Sequence, residues 1–548
     1  MFVCRHVIAA GLMSLPVVSV CAQSVPDTVR AVSATQMSRL LERAGAQNLI
    51  VTDLHARTSG SRIVFDADFA KNADGDQWLV QLNLSAAQLK SFADDHEPKG
   101  YVRVVETSVR VNRQLRHSAV WVMKQSAPEP LVLPKKPLPI TGLKDGRLQP
   151  IDEFMSEFLR QHNVAGATLA IAKGGRLLYA RGFGYADVAA EQPMQPNTEM
   201  RLASLSKPMT GVAVLMLVDR GLLSPDDKVL SILQEGGFAK LKGDADPRWH
   251  NLSIRHLLQH SGGWDRSVSK DPMFQVVSIT RALKLRKTAT ADDILRYQLT
   301  QPLDFDPGEK YVYSNFGYSV LGRVVEITLG KPFDECMTEL VLAPRAMQQT
   351  RLGRTRLEDR GANEARYYMQ NLEKHVPFWT VLNKARRGPA EIQDPVEEPY
   401  GRWDLEVMDS HGGWVSTAPD LLRFVAGLTA DESGETPPLL SDAAFAQMLA
   451  PPQLGRPQSN GYWYGCGWNV RPVGRSERPH EAHSIWHNGA LAGTSTLLVR
   501  RWDGFSWAAL FNTDLSKNGS RLTGIIDSQL HPAIDAIEFW PDYDLFAE

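Results

Sequence analysis

At 548 residues the chain is too long for a single hydrophobic core and calls for two or three domains. Its formal net charge of -2, with 43% hydrophobic and 22% charged residues, is that of an ordinary globular protein. This balance removes the electrostatic basis for a nucleic-acid or anionic-membrane partner.

The first residues carry an address. Arg5 and His6 make a short basic start, Val7 to Val20 is mostly apolar, and Val20-Cys21-Ala22 ends small before Gln23. This is the pattern of a secretory signal peptide over residues 1–22, too short and wrongly flanked for a lasting membrane span. A lipid attachment would use Cys21, which the bulky Val20 before it does not suit. The expectation is an exported protein, periplasmic or secreted. Cys4 and Cys21 lie in the leader; Cys336 and Cys466 remain and read as two independent buried thiols.

Residues 23–125 read as a small α+β module made of two similar units. Ser33-Ala34-Thr35-Gln36-Met37 is echoed by Ser85-Ala86-Ala87-Gln88-Leu89, each opening a helix-like stretch. Each copy then reaches a glycine, Gly45 or Gly100, and an alternating run, Asn48 to Leu54 or Tyr101 to Thr107. A second alternating run closes each copy, Arg62 to Phe69 and Ser118 to Val122. Period-two alternation predicts half-buried strands. Five prolines between Ser126 and Gly142 then predict an extended, semi-rigid linker over 126–141.

Residues 142–548 form the main domain. An amphipathic helix is predicted over Ile151 to Gln161, followed by a hairpin from Ala165 to Lys173 and Arg176 to Tyr185 around Gly174-Gly175. A mostly helical middle follows. Near the end, Thr494 to Arg501 and Phe505 to Asn512 flank Trp502-Asp503-Gly504 as a second hairpin, and a helix over Ser520 to Leu530 closes the chain. Strand pairs at both ends with helices between predict an antiparallel sheet closed by distant segments, plus a helical subdomain, with the site where the two meet.

Three short stretches carry chemistry. Ser204-Leu205-Ser206-Lys207 precedes the unbroken apolar run Val212 to Val218, which predicts a buried helix beginning near Ser204. Residues three apart share a helix face, so Ser204 and Lys207 point the same way. A lysine desolvated there can take the serine's proton, and the helix N-terminus offers N–H groups where an oxyanion forms. In Tyr313-Ser314-Asn315, a tyrosine beside an ammonium can share its proton as phenolate, and the Asn315 amide can hold both Lys207 and a substrate carbonyl. In His487-Asn488-Gly489-Ala490, Gly489 allows close backbone approach by substrate, and the Ala490 N–H can complete an oxyanion pair. Each has a structural alternative: helix surface, a core aromatic cluster, a satisfied histidine.

In this order and spacing the three stretches resemble the serine β-lactamase and penicillin-recognising hydrolase superfamily, on its class C side. Ile254 to Gly263, Phe305-Asp306-Pro307-Gly308, Tyr318 to Gly322 and Gly412 to Thr417 extend the resemblance over most of residues 145 to 530. It implies Ser204 as acylated nucleophile, Lys207 as its base and Tyr313 as proton shuttle. It also implies Asn315 as substrate-orienting group and the Ser204 and Ala490 N–H groups as oxyanion hole. His487 stands where β-lactamases and D,D-peptidases usually have lysine; a largely neutral histidine weakens attraction for a substrate carboxylate and is similar to the esterases, amidases and aminopeptidases of the superfamily. The second N-terminal copy, with Gly100-Tyr101 and Ala119-Val120-Trp121, resembles the tandem repeats of secreted polyglycine hydrolases.

The expected partner is an ester, amide or peptide substrate, a cell-wall or glycine-rich peptide among them. No cofactor or metal is implied. His256 and His260 lack the glutamate of a zinc helix, His480 and His483 lie in a polar stretch, and Gly182-Phe183-Gly184 sits in a strand rather than before a helix. Two rival readings are a protein that acylates without turnover, as a sensor, and a docking role for the N-terminal module that selects the target.

Overall fold

The structure is a computed structural model that describes residues 24–72, 76–96, 101–112, 114–123, 129–238, 246–372, 374–375, 396–430, 437–454, 461–474 and 482–547. The leader, Gly100 and His480 lie outside the described residues. Chain contacts divide the protein into two compact units, Met1–Ala127 and Pro128–Glu548.

In the first unit the order strand, helix, strand, strand occurs twice. Thr28–Ser33, Ala34–Ala46, Leu49–Ser59 and Arg62–Lys71 make one copy. Gln77–Leu84, Ala86–His96, Val102–Val111 and Gln114–Met123 make the other. In both three-stranded antiparallel sheets the last strand is central. The copies share small devices at a spacing of 52, from position 33 to position 85. The Ser33 hydroxyl accepts from Gln36 N at 3.3 Å, and the Ser85 hydroxyl accepts from Gln88 N at 3.3 Å. Each glutamine reaches back to the serine N–H at 2.9 Å, completing a capping box.

The leading strand of each copy escapes a reading by alternation because a bulge interrupts it. Ala31 at φ 56° and Asn83 at φ 61° turn left-handed at equivalent places, breaking the period of two. Before the second strand of the first copy the left-handed turn falls on Asn48, while Gly45 lies inside the last turn of the helix, which runs to Ala46. Phe65, Phe69, Leu54 and Val120 fill the core of the unit.

The second unit is built on an antiparallel sheet that joins both ends of its sequence. In spatial order it runs Gln192–Pro193, Arg176–Asp187, Gly166–Lys173, Phe505–Phe511, Thr494–Arg500, His483–Leu491, Asn469–Pro472 and Trp463–Tyr464. The closure is the pairing of Phe505–Phe511 with Gly166–Lys173. Gly182 is a packing glycine: a Cβ there would lie 2.2 Å from Met194 O. Part of the proline-rich linker is stitched to this unit. Glu129–Pro130 pairs with Asn371–Leu372, and Ile140–Thr141 pairs with Gly182 and Phe183.

Two helices, Gln149–His162 and Leu522–Asp535, cover one face of the sheet through Ile151, Phe158, Trp507, Phe511 and Ile526. The other face meets the helical part, centred on Ser206–Asp219. That helix is buried on all sides, so its apolar run carries no period. Cys336 and Cys466 are free and buried. Among the described residues, no helix is long and apolar enough to cross a membrane.

Candidate active site

Ser204 sits in a 3-10 turn, Ala203–Leu205, and the α-helix begins only at Ser206. The turn is entered through Ala203 at φ 50°, a left-handed conformation that an alanine adopts only when its surroundings impose it. Lys207 is therefore the second residue of the helix. The spacing still brings the two side chains together: Lys207 Nζ lies 3.0 Å from Ser204 Oγ.

Tyr313, Ser314 and Asn315 divide the work of a helix start. Ser314 is the N-cap of Asn315–Leu329, its hydroxyl accepting from Gly317 N at 3.1 Å. Its neighbours are thereby aimed at Lys207. Asn315 Oδ1 accepts from Lys207 Nζ at 2.7 Å, and the Tyr313 ring centroid lies 4.8 Å from that nitrogen. Tyr313 also shares a hydrogen bond with Ser204.

Two further groups complete the surroundings of Lys207, and neither stands out in the sequence. The His411 carbonyl accepts from Nζ at 2.8 Å. The Asp271 carboxylate accepts from Asn315 Nδ2 at 2.7 Å, across 44 positions of sequence. A carboxylate accepts and cannot donate, so Asp271 fixes which way the Asn315 amide faces. The amide oxygen must then turn to Lys207. His411 contributes backbone, which leaves no mark on residue type.

The protonation states follow from burial. Lys207 is 0% exposed, and desolvation holds its ammonium well below the usual lysine range; Asp271 opposes this and Arg266 adds to it. Asn315 Oδ1 and the His411 carbonyl are acceptors only, so Nζ donates to both. The Ser204 oxygen, at 3.0 Å, is its third partner and the group from which a deprotonated Nζ can take a proton. Burial also raises the Tyr313 phenol far above its usual range, and its bond to Ser204 opposes that. The expected phenolate is thus corrected: burial of Tyr313 itself keeps it a neutral phenol.

The third stretch lies on His483–Leu491. Its neighbour Asn469–Pro472 pairs as far as Trp486, so among the described residues 487–491 have no strand partner on that side. Gly489 is needed there for the protein's own packing. A Cβ on it would sit 2.3 Å from Leu202 O and 3.1 Å from the Ala203 side chain, so the glycine seats the strand against the turn that carries Ser204. This places Ala490, the next residue on the strand, beside that contact.

His487 is 2% exposed, and both ring nitrogens are engaged. Nδ1 lies 2.8 Å from the Asn488 carbonyl and must donate, so Nε2, 3.0 Å from the Tyr464 hydroxyl, must accept. Burial first, then Lys207, pushes its pKa down to about 3. His487 is a neutral wall of the site, with no free hydrogen for substrate. His260 lies beneath: its ring is 4.3 Å from Tyr313 and 4.4 Å from Tyr464, and its Nδ1 accepts from Ser314 N at 3.2 Å. His256, by contrast, closes a capping box with Ser253.

The architecture and this cluster define a class. The Beta-lactamase family model matches residues 151–530, and the chain belongs to that family of hydrolases. A penicillin-binding protein of Bacillus subtilis is 27% identical over 376 residues, covering 66% of this chain and 70% of that protein. The esterase EstB of Burkholderia gladioli is 30% identical over 371 residues, covering 66% of this chain and 90% of that protein. Among solved structures, the D-amino acid amidase of Ochrobactrum anthropi aligns with a TM-score of 0.51 at 21% identity, over 72% of this chain and 99% of that one. EstCE1, a hydrolase with promiscuous acyltransferase activity, aligns with a TM-score of 0.52 at 22% identity, over 71% of this chain and 98% of that one. These two likenesses speak for the fold.

Proposed function

We propose that the chain is an exported serine hydrolase, on the class C side of its family, that cleaves an ester or amide through an acyl-enzyme on Ser204. The observation that carries this is the coordination of Lys207 Nζ: two acceptor-only partners and the Ser204 hydroxyl as the third. In the reaction Ser204 Oγ attacks the substrate carbonyl carbon while its proton passes to Lys207. The oxyanion is held by the N–H groups of Ser204 and Ala490. As the carbonyl–leaving-group bond breaks, Tyr313 gives its proton to the departing oxygen or nitrogen and is reprotonated from Lys207. Water then attacks the acyl carbon, with the same groups relaying protons in reverse and releasing Ser204. Asn315, held by Asp271, orients both Lys207 and the substrate.

A neutral, fully engaged His487 supports esters, amides and peptides that need no carboxylate at that wall. The relatives include an esterase, which supports an ester among the substrates. Export rests on residues 1–22 and is checked by N-terminal sequencing of the mature protein from its host.

The test is to incubate residues 23–548, wild type and Ser204→Ala, with a chromogenic cephalosporin, a p-nitrophenyl acyl ester, an alanine p-nitroanilide and a glycine-rich peptide. Turnover of at least one substrate, lost in Ser204→Ala, is the expected result. Full turnover by the purified mutant would overturn the assignment.

A further inference from the structure

His487 leaves the site without the cation that would stand in its place, yet a cation does reach the site from another loop. Arg266 is exposed, and its guanidinium carbon lies 5.8 Å from the centroid of the Tyr313 ring. Its charge acts on Lys207, His260, Asp271, Tyr311 and Tyr313, so it faces the reacting groups rather than open solvent alone. Among the described residues, no hydrogen bond or ion pair occupies it. The acid in this set, Asp271, is half-buried and already accepts from Asn315 Nδ2 and from Met273 N.

The backbone that carries Arg266 is tied down on both sides. Asp265 N donates to Asp304 Oδ2 at 2.7 Å, and Asp265 Oδ1 accepts from Ser267 N at 3.0 Å. The Asp265 carbonyl accepts from Val268 N at 2.8 Å and Ser269 N at 3.0 Å, closing a single turn. Asp265 also holds Lys310 at 3.3 Å, so that neighbouring cation is compensated while Arg266 is not. A fixed backbone, a free guanidinium and a position beside the proton-donating tyrosine form an anion-reading group on the leaving-group side.

We propose that Arg266 recognises a carboxylate on the leaving portion of the substrate, and so sets a preference for esters and amides that release an anionic fragment. This rests on the hydrolase reading above, with Tyr313 as proton donor to the leaving group. It moves anion recognition from the His487 strand to the loop after Trp264.

The test compares kcat/KM for para-acetoxybenzoate, which releases an anionic phenol, with para-acetoxybenzamide, its neutral counterpart. A third ester carries its carboxylate on the acyl chain. Wild type, Arg266→Ala, Arg266→Glu, Arg266→Lys and Ser204→Ala are measured at low and high salt. The expected result is that Arg266→Ala lowers the benzoate-to-benzamide ratio about tenfold, Arg266→Glu lowers it further, and Arg266→Lys keeps most of it. Added salt shrinks the wild-type ratio. An unchanged ratio in Arg266→Ala, with turnover still dependent on Ser204, would overturn this inference and leave the hydrolase reading standing. A change confined to the acyl-side ester would overturn it equally. Absence of Ser204-dependent turnover of all three esters would overturn both.

Discussion

The repeat unit and the hydrolase unit use the same local devices for different ends. In the repeat unit, Ser33 and Ser85 cap helices, and Ala31 and Asn83 turn left-handed, to build one small fold twice. In the hydrolase unit, Ser314 caps a helix so that Tyr313 and Asn315 reach Lys207, and Ala203 turns left-handed just before Ser204. A cap that costs only stability in the first unit positions chemistry in the second. The difference lies in what the device is adjacent to: solvent in one case, a fully buried lysine in the other.

The strongest way to sharpen this contrast is Ser204→Ala. Turnover should fall by about a thousandfold or more, with the melting temperature and circular dichroism unmoved. The pH dependence comes next. Lys207 accepts a proton only when neutral, and its pKa is lowered, so kcat/KM should be flat at high pH and fall as pH drops through the Lys207 pKa. Because the Asp271 charge raises that pKa, Asp271→Asn should move the acid limb to lower pH while an amide oxygen still accepts from Asn315. Asp271→Ala frees the Asn315 amide and should cost about ten- to a hundredfold in kcat/KM. Equal losses in the two variants, with no movement of the limb, would break the positioning role.

Smaller effects follow. Gly489→Ala should destabilise the hydrolase unit by about 2–4 kcal/mol, read as a lower denaturation midpoint, because its Cβ meets backbone at Leu202 that has nowhere to move. Ser33→Ala and Ser85→Ala should each cost about 1 kcal/mol of stability and leave ester turnover unchanged. A comparable loss of turnover in either would erase the distinction between the two units.

Most of the fold was legible because its signals are local. The hairpins around Gly174-Gly175 and Trp502-Asp503-Gly504 announce themselves by alternation and turn residues, and the central helix by an apolar run. The strands before Ser33 and Ser85 were not, since a bulge at Ala31 and Asn83 breaks their alternation. In the site, Ser204 and Lys207 meet as their spacing implied, and Tyr313 and Asn315 join them as the family resemblance implied. Asp271 and Tyr464 did not show, because an acid before a proline and a tyrosine in an aromatic run look ordinary until the fold brings them to Asn315 and His487. The phenolate expected of Tyr313 failed for a physical reason: burial of the phenol disfavours its charged form.

The central claim is that Lys207, its ammonium disfavoured by burial, takes the Ser204 proton as the Ser204 oxygen attacks a carbonyl carbon. Its most direct test is rapid quenching of wild type with a p-nitrophenyl ester at saturating concentration, followed by intact mass and peptide mapping. The account predicts one acyl group, on the peptide that contains Ser204, absent in Ser204→Ala. Turnover without any adduct at Ser204, or an adduct that persists unchanged in Ser204→Ala, would contradict it.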